Sequence, residues 1–267
     1  MSDWRLNVRA GLARAYARAV GATREPSWVV FDVLLPLLGV AAYIFYYRAL
    51  GADPAFEGFV VLGGAMTAFW LNVLWGMAAQ LFWEREVGNL QLFMVSPMSR
   101  MALLAGMALG GLFTSSVRAL STLVLGILLF QVNMSVPEPV ALAVVFALTM
   151  LAVYGMGMML SSLFLMYGRD AWNISNLLQE PVYLMSGFYF PVRELGLAVG
   201  ALASLIPITL GLDAMRQLLF GQAANGLLPV TVEAAILAVQ AVVFIVLARF
   251  SLDRMEQRGR REGRLTL

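Results

Sequence analysis

Long apolar runs separated by short polar breaks organise this chain. The runs at 28–47, 59–83, 101–130, 140–167, 172–190 and 230–250 each approach or exceed the about 20 residues a helix needs to cross a hydrocarbon core of about 30 Å. The pattern predicts an all-α membrane protein with six transmembrane helices. Aromatic residues gather at the ends of the first run (Trp28, Phe31, Tyr43, Phe45, Tyr46, Tyr47), as they do at membrane–water boundaries. In the third run, Gly106 and Gly110 have the spacing that lets two helices approach closely. Pro181 interrupts the fifth.

Three segments depart from this alternation. Residues 1–27 contain Arg5, Arg9, Arg14, Arg18 and Arg24, with Trp4, Val8, Leu12 and Ala15 along one helical face. This is too long for the basic leader of a signal peptide and predicts an amphipathic helix lying on the cytoplasmic membrane surface. Between the fifth and sixth runs, 195–206 is too short to cross and Pro207 stops it. The segment 208–220 carries Asp213 and Arg216 and reads as interfacial. Together, residues of about 192–220 predict an outward re-entrant pair that dips in and returns. Gly51 to Gly58, Asn133 to Pro139 and Gly168 to Asp170 read as loops, and 251–267 as a basic tail.

The third departure is the most distinctive hydrophilic break in the first two-thirds of the chain. Leu81 to Arg100 reads L-F-W-E-R-E-V-G-N-L-Q-L-F-M-V-S-P-M-S-R, with Val87, Leu90 and Met94 at helical spacing. It predicts a short helix over about 84–97, held directly between the second and third spans. Glu84 and Glu86 are expected to favour its start through the helix dipole and to be free to pair with Arg of a partner. Gly88 would allow close approach. Leu90, Leu92, Phe93 and Met94 offer an apolar surface to a groove, and Pro97 ends the helix.

Composition narrows the chemistry. Hydrophobic residues make up 61% and charged residues 13%, about half the charged share of a soluble domain. With neither Cys nor His, thiolate chemistry and the commonest general base and metal ligand are excluded. All 18 basic residues are Arg. The Lys of a Walker-type phosphate loop is therefore absent. No catalytic residue, metal site or cofactor is expected on the chain, and no nucleic-acid partner. With six spans, 14 of the Arg, including Arg169 and Arg264, fall on the side that holds both termini. The positive-inside rule makes that side cytoplasmic. Arg48, Arg193 and Arg216 face outward. No internal repeat is evident, which counts against repeat-built secondary transporters.

The residues also resemble a family. Glu84 to Arg100 (E-R-E-V-G-N-L-Q-L-F-M-V-S-P-M-S-R) is similar to the cytoplasmic signature of type-two ATP-binding-cassette exporter permeases, roughly E-R-E-x-G-T-L-E-x-L-x-x-S-P-x-S-R. Ser186-Gly187-Phe188-Tyr189-Phe190-Pro191 resembles that family's S-G-x-x-F-P. Pro207-Ile208-Thr209 followed by Leu212-Asp213-Ala214-Met215-Arg216 resembles its P-x-T…L-D-A-x-R. Asn89 and Gln91 replace the family's usual Thr and Glu, and Gly196 stands where a Pro is common. The resemblance implies the permease subunit of an exporter in the plasma membrane (a bacterial inner membrane), moving a drug, lipid or lipid-linked glycan by alternating access. It implies a second permease copy, as a homodimer or pseudo-dimer, and two cytoplasmic ATPase subunits that carry ATP and Mg. The first cytoplasmic loop would be the coupling helix, with Glu84, Arg85, Glu86, Gly88, Leu90, Leu92, Phe93, Met94 and Pro97 as its candidate docking residues.

Polar residues within the spans give candidates for the transport path. Arg118 lies about 15 residues into the third span, roughly 22 Å from its inner edge, and needs a partner or water. Glu180 is the candidate partner by depth, and snorkelling of Arg118 is the other reading. Asp32 is expected at the inner interface. Asn72 and Gln80 read as interhelical hydrogen-bonding groups, with Asn72 kept as a path candidate. Phe188, Tyr189 and Phe190 are candidates for an outer gate. Met156, Met158 and Met159 suit an apolar cargo but read more simply as packing. The rival readings are an ion-coupled carrier, for which Glu180 is the obvious mid-span carboxylate, and an intramembrane enzyme, for which no dyad is evident.

Overall fold

In the computed structural model, which describes residues 4–24, 26–167 and 170–261, every regular element is helical. The Gly168–Arg169 loop, Arg264 and the remainder of the tail beyond 261 lie outside the described residues. Helix α1 is Trp4–Thr23, α2 Pro26–Ala49 and α3 Ala55–Leu71. A π-helical segment, Asn72–Ala78, joins α3 to α4 (Gln80–Glu86), so the second span runs on to the polar break. Next come α5 (Asn89–Val95), α6 (Arg100–Phe130), α7 (Pro139–Tyr167) and α8 (Asp170–Met185). The short α9 (Leu197–Ala203), α10 (Pro207–Phe220) and the long α11 (Val230–Arg261) complete the chain.

Among the described residues five helices are long and apolar enough to cross a membrane. The expected fifth span is shorter than its apolar run: α8 has 16 residues, about 24 Å at 1.5 Å per residue. Its helix ends at Met185 and the run finishes as a turn. Pro181 lies inside α8 without ending it. α9 and α10 are bent against each other by 113°. The interfacial reading of α10 does not survive: every residue from Pro207 to Arg216 is buried. Gly211 makes this possible, since a Cβ there would collide with Thr149 of α7. The last span likewise continues without a break through the expected tail to Arg261.

One span differs from the rest in its surroundings. The most apolar window of Ala55–Glu86 is 89% buried, against 11–50% for the other four. Phe59, Phe69, Trp70, Leu74 and Met77 of this span are buried, in contact with side chains of α6, α7 and α10. The outer helices keep broad apolar faces exposed, as a lipid-facing bundle does. Met156, Met158 and Met159 contribute to the same core, the packing role. At the ends of these helices remote from the polar break, Arg48 grips Glu57 through two bonds of 2.9 and 2.6 Å and donates to the Phe130 carbonyl at 3.0 Å. That one side chain ties α2, α3 and α6 together.

Candidate functional site

The polar break holds two short helices rather than one. α4 closes the second span at Glu86, and Gly88, at φ +79°, turns the chain before α5 begins. A Cβ on Gly88 would meet nothing within 4 Å. Within the chain the glycine serves a left-handed turn. The expected helix of about 84–97 contracts to 89–95. Ser96 is extended, Pro97 follows, and Ser99 caps α6 by accepting from the Ala102 amide at 3.1 Å.

This division reverses the role of Glu84. It lies in the last turn of α4, where the helix dipole disfavours an acid, and its side chain is buried. It accepts from Arg14, from Gln80 Nε2 at 3.0 Å and from Asn89 Nδ2 at 3.1 Å. Glu84 is thus internally satisfied and has no free oxygen facing solvent for a partner Arg. Glu86, Val87, Leu92 and Val95 are exposed instead, Leu92 by 71%. Arg85 is exposed beside Glu86 at 3.5 Å, and Phe93 faces inward, with Arg14 over its ring. The side chains of Leu90 and Met94 lie outside those described.

Helix α1 is the element that receives Glu84. It runs alongside α6 in the same direction: Asn7 Oδ1 accepts from the Ser99 amide at 2.7 Å, Gly11 meets Gly106, and Ala15 meets Gly110. A Cβ on Gly106 would collide with the Gly11 backbone, and one on Gly110 would lie 3.0 Å from the Ala15 carbonyl oxygen. The G-x-x-x-G spacing thus seats α1 of the same chain. Ala15 faces α6, a correction to the expected apolar stripe. That stripe is Trp4, Val8, Leu12 and Tyr16, all exposed and spaced four residues apart.

One turn beyond Arg14, Arg18 donates to the Gly76 carbonyl inside the π-helical segment. A π-helix leaves carbonyls out of the ordinary ladder, and such segments concentrate at functional positions. Burial lowers the pKa of the Arg18 guanidinium from its usual value. The neighbouring Trp75 indole donates to Gln179 Oε1 at 2.8 Å, which ties the π segment to α8. A connected series of polar contacts therefore runs from Asn89 on α5 through Glu84, Arg14 and α1 to the π segment of the second span, and on to α8.

Beside Arg18 lies a cavity of about 470 Å³ whose lining includes Asp32, Asn72, Trp75, Thr114 and Arg118. Arg118 pairs with Asp32 at 2.7 Å. The expected pair with Glu180 is not formed: Glu180 is exposed and accepts from its neighbour Gln179 at 3.3 Å. Asp32 accordingly lines this cavity, paired across to α6. Asn72 is buried and accepts from the Tyr154 hydroxyl at 3.4 Å.

At the opposite end, Phe188 is fully buried and packs edge-on against Tyr183, so its ring does not face an open path. Tyr189 stacks on Tyr43 with ring centroids 4.3 Å apart, and Phe190 is partly exposed. The backbone of this turn is held by Arg216, which donates to the Phe188, Phe190 and Phe59 carbonyls at 2.9, 3.2 and 3.1 Å. Sequence reasoning missed that role, as well as the Arg14–Glu84 and Arg18–Gly76 contacts. The pairing of residues 70 and 58 positions apart has no local signature.

Five helices of membrane-spanning length among the described residues, four of them at most half buried around a protein-enclosed second span, define a multi-pass membrane protein. The chain belongs to the ABC-2 type transporter family, whose model matches residues 17–220. As a permease domain of that family it is the membrane component and not itself the catalyst. A comparison with curated proteins finds no match.

Proposed function

We propose that this chain is the permease half of an ATP-driven exporter, in which α5 is the coupling helix that seats in a cleft on a separate cytoplasmic ATPase. The observation that carries this reading is the mounting of α5. Its outward residues Leu92 and Val95 are exposed, while its first residue is tied through Glu84 and Arg14 to α1. A helix held in this way passes force on instead of yielding to it. Closure of two ATPases on ATP and Mg would press α5. The movement would reach the π segment through Arg14 and Arg18 and the fifth span through Trp75–Gln179. Both termini and α5 then lie on the cytoplasmic side of the plasma membrane, and α9–α10 form an outward re-entrant cap. Two permease copies bring their exposed apolar faces together, and Tyr189 and Phe190 border the exit.

The cargo class is hydrophobic or amphipathic: a drug, a lipid or a lipid-linked glycan. Broad apolar surfaces suit such molecules, and the cavity beside Arg118 supplies a polar foothold. Substitution Leu92→Asp tests the coupling. In the complex with its ATPase, hydrolysis stimulated by transport should fall by about tenfold or more, the effect of a charge forced into an apolar contact, while the permease remains folded and membrane-inserted. Full coupling in that variant would contradict the role of α5. Transport driven by a proton gradient with no ATPase present would instead favour an ion-coupled carrier.

A further inference from the structure

The cavity at Arg18 and Arg118 is unusual in charge. It is lined by two guanidinium groups and one carboxylate, Asp32, within a mainly apolar bundle. Arg14, the nearest further cation along α1, is already matched by Glu84. Among the described residues, the lining therefore carries one more positive than negative charge. Each guanidinium has five N–H donors. Arg18 spends one group on the Gly76 carbonyl, and Arg118 spends one on Asp32. Donor capacity remains on both, directed at the same space.

Depth says what kind of anion would reach it. Asp32 lies about 17 residues before the end of α2 and Arg118 about 12 before the end of α6, or about 25 and 18 Å at 1.5 Å per residue. Measured from those ends, a hydrocarbon core of about 30 Å leaves Asp32 about 5 Å and the Arg118 backbone about 12 Å from the opposite boundary. Side chains on a helix lean toward its N-terminus, which carries the Arg118 guanidinium closer still to that boundary. Next to the cavity residue Pro36, α2 exposes Leu34, Leu35 and Leu38, a surface on which an acyl chain can lie.

We propose that this cavity binds the anionic phosphate or carboxylate headgroup of a lipid-like amphiphile at the inner-leaflet boundary, with Arg18 and Arg118 as its donors. The inference deepens the transport reading and rests on it for the orientation of the site. It makes the pocket the point where a negatively charged amphiphile is held before it moves. Asp32 holds Arg118 in place and competes with the ligand for it.

Native mass spectrometry of the full chain, released from membranes in detergent, tests this with phosphatidylglycerol, uncharged diacylglycerol and inorganic phosphate as probes. The wild type should retain phosphatidylglycerol at least about tenfold better than diacylglycerol. Arg18→Gln and Arg118→Gln should each weaken that retention by about tenfold, the scale of one charge-assisted hydrogen bond. Asp32→Asn, which removes the competitor, should hold or strengthen it. Monodisperse elution and an unchanged melting temperature check the folding of each variant, and Asp32→Asn decides the matter if Arg118→Gln does not fold. Equal retention of diacylglycerol, indifference to both Arg changes, or loss of binding in Asp32→Asn would overturn the proposal. Binding of inorganic phosphate without phosphatidylglycerol would assign the site to a soluble anion and overturn the lipid source. Because no ATP is consumed in this assay, failure here leaves the coupling of α5 to its ATPase standing, and the converse holds.

Discussion

Glu84 shows how a residue can look like a docking group and serve as an anchor. Three donors from α1, α4 and α5 converge on its carboxylate. Removing it strands the Arg14 guanidinium, which is itself mostly covered, and such stranding costs about 3 kcal/mol when the pair is buried. Glu84→Ala should therefore lower thermal stability and free α1, seen as faster labelling of a cysteine introduced at Ala15. If Glu84→Ala leaves both unchanged, the tether is not structural. Arg216 is the equivalent anchor at the end of the bundle remote from α5. Its guanidinium serves three backbone carbonyls on two elements, a spread that the compact ammonium of Lys cannot match. Both Arg216→Leu and Arg216→Lys should destabilise by about 3 kcal/mol; full rescue by Lys would show that charge alone is needed.

Single residues of this kind were the least legible part of the sequence. The acids at 84 and 86 are two residues apart, yet one is enclosed and the other exposed. That difference is fixed by where α4 ends, and the end is fixed by Gly88. A glycine read for its small size was acting through its positive φ. Arg118 similarly found the nearer Asp32 on α2, because α2 and α6 pack together while Glu180 turns outward. Depth along a helix was readable from residue counting; azimuth around it was not.

At the scale of elements, periodicity served well. Runs of apolar residues marked α2, the second span, α6 and α7 to within about four residues and Pro207 marked the start of α10, whereas α11 extends 11 residues past its apolar run, from 250 to Arg261. The miss at α10 has a physical cause: Asp213 and Arg216 read as surface groups. Both are buried with internal partners, Asp213 accepting from the Leu227 amide at 2.7 Å and from Gln217 at 3.1 Å. The amphipathic α1 is a second case. Its small residues, not its apolar ones, make the protein contact. Gly106→Leu should push α1 off α6, since the added side chain has no room beside Gly11. Overpacking of this sort costs about 1–3 kcal/mol. The expected readout is proteolytic release of the N-terminal segment from otherwise intact protein; continued protection would mean that α1 is held by Arg14 and Arg18 without the groove.

On the scale of the whole molecule, the arrangement places one enclosed helix among helices that face outward. The second span touches protein on nearly all sides, carries the π segment in the half nearer the polar break and ends in the turn that presents α5. Movement of α5 along that span would therefore be felt by α1, α6, α7 and α8, whereas movement of an outer helix would spread into lipid. Membership of the ABC-2 type transporter family agrees with a membrane component that contains no phosphate-binding Lys.

The absence of cysteine makes the central claim directly measurable. A single cysteine at Leu92 or at Val95 would be the sole thiol of the permease, and a thiol-reactive crosslinker in membranes containing the assembled complex can report its neighbour. Leu92→Cys and Val95→Cys should join to the ATPase subunit, and Leu128→Cys, exposed at the far end of α6, should not. Crosslinking to the ATPase from position 128 but not from 92 or 95 would contradict the claim.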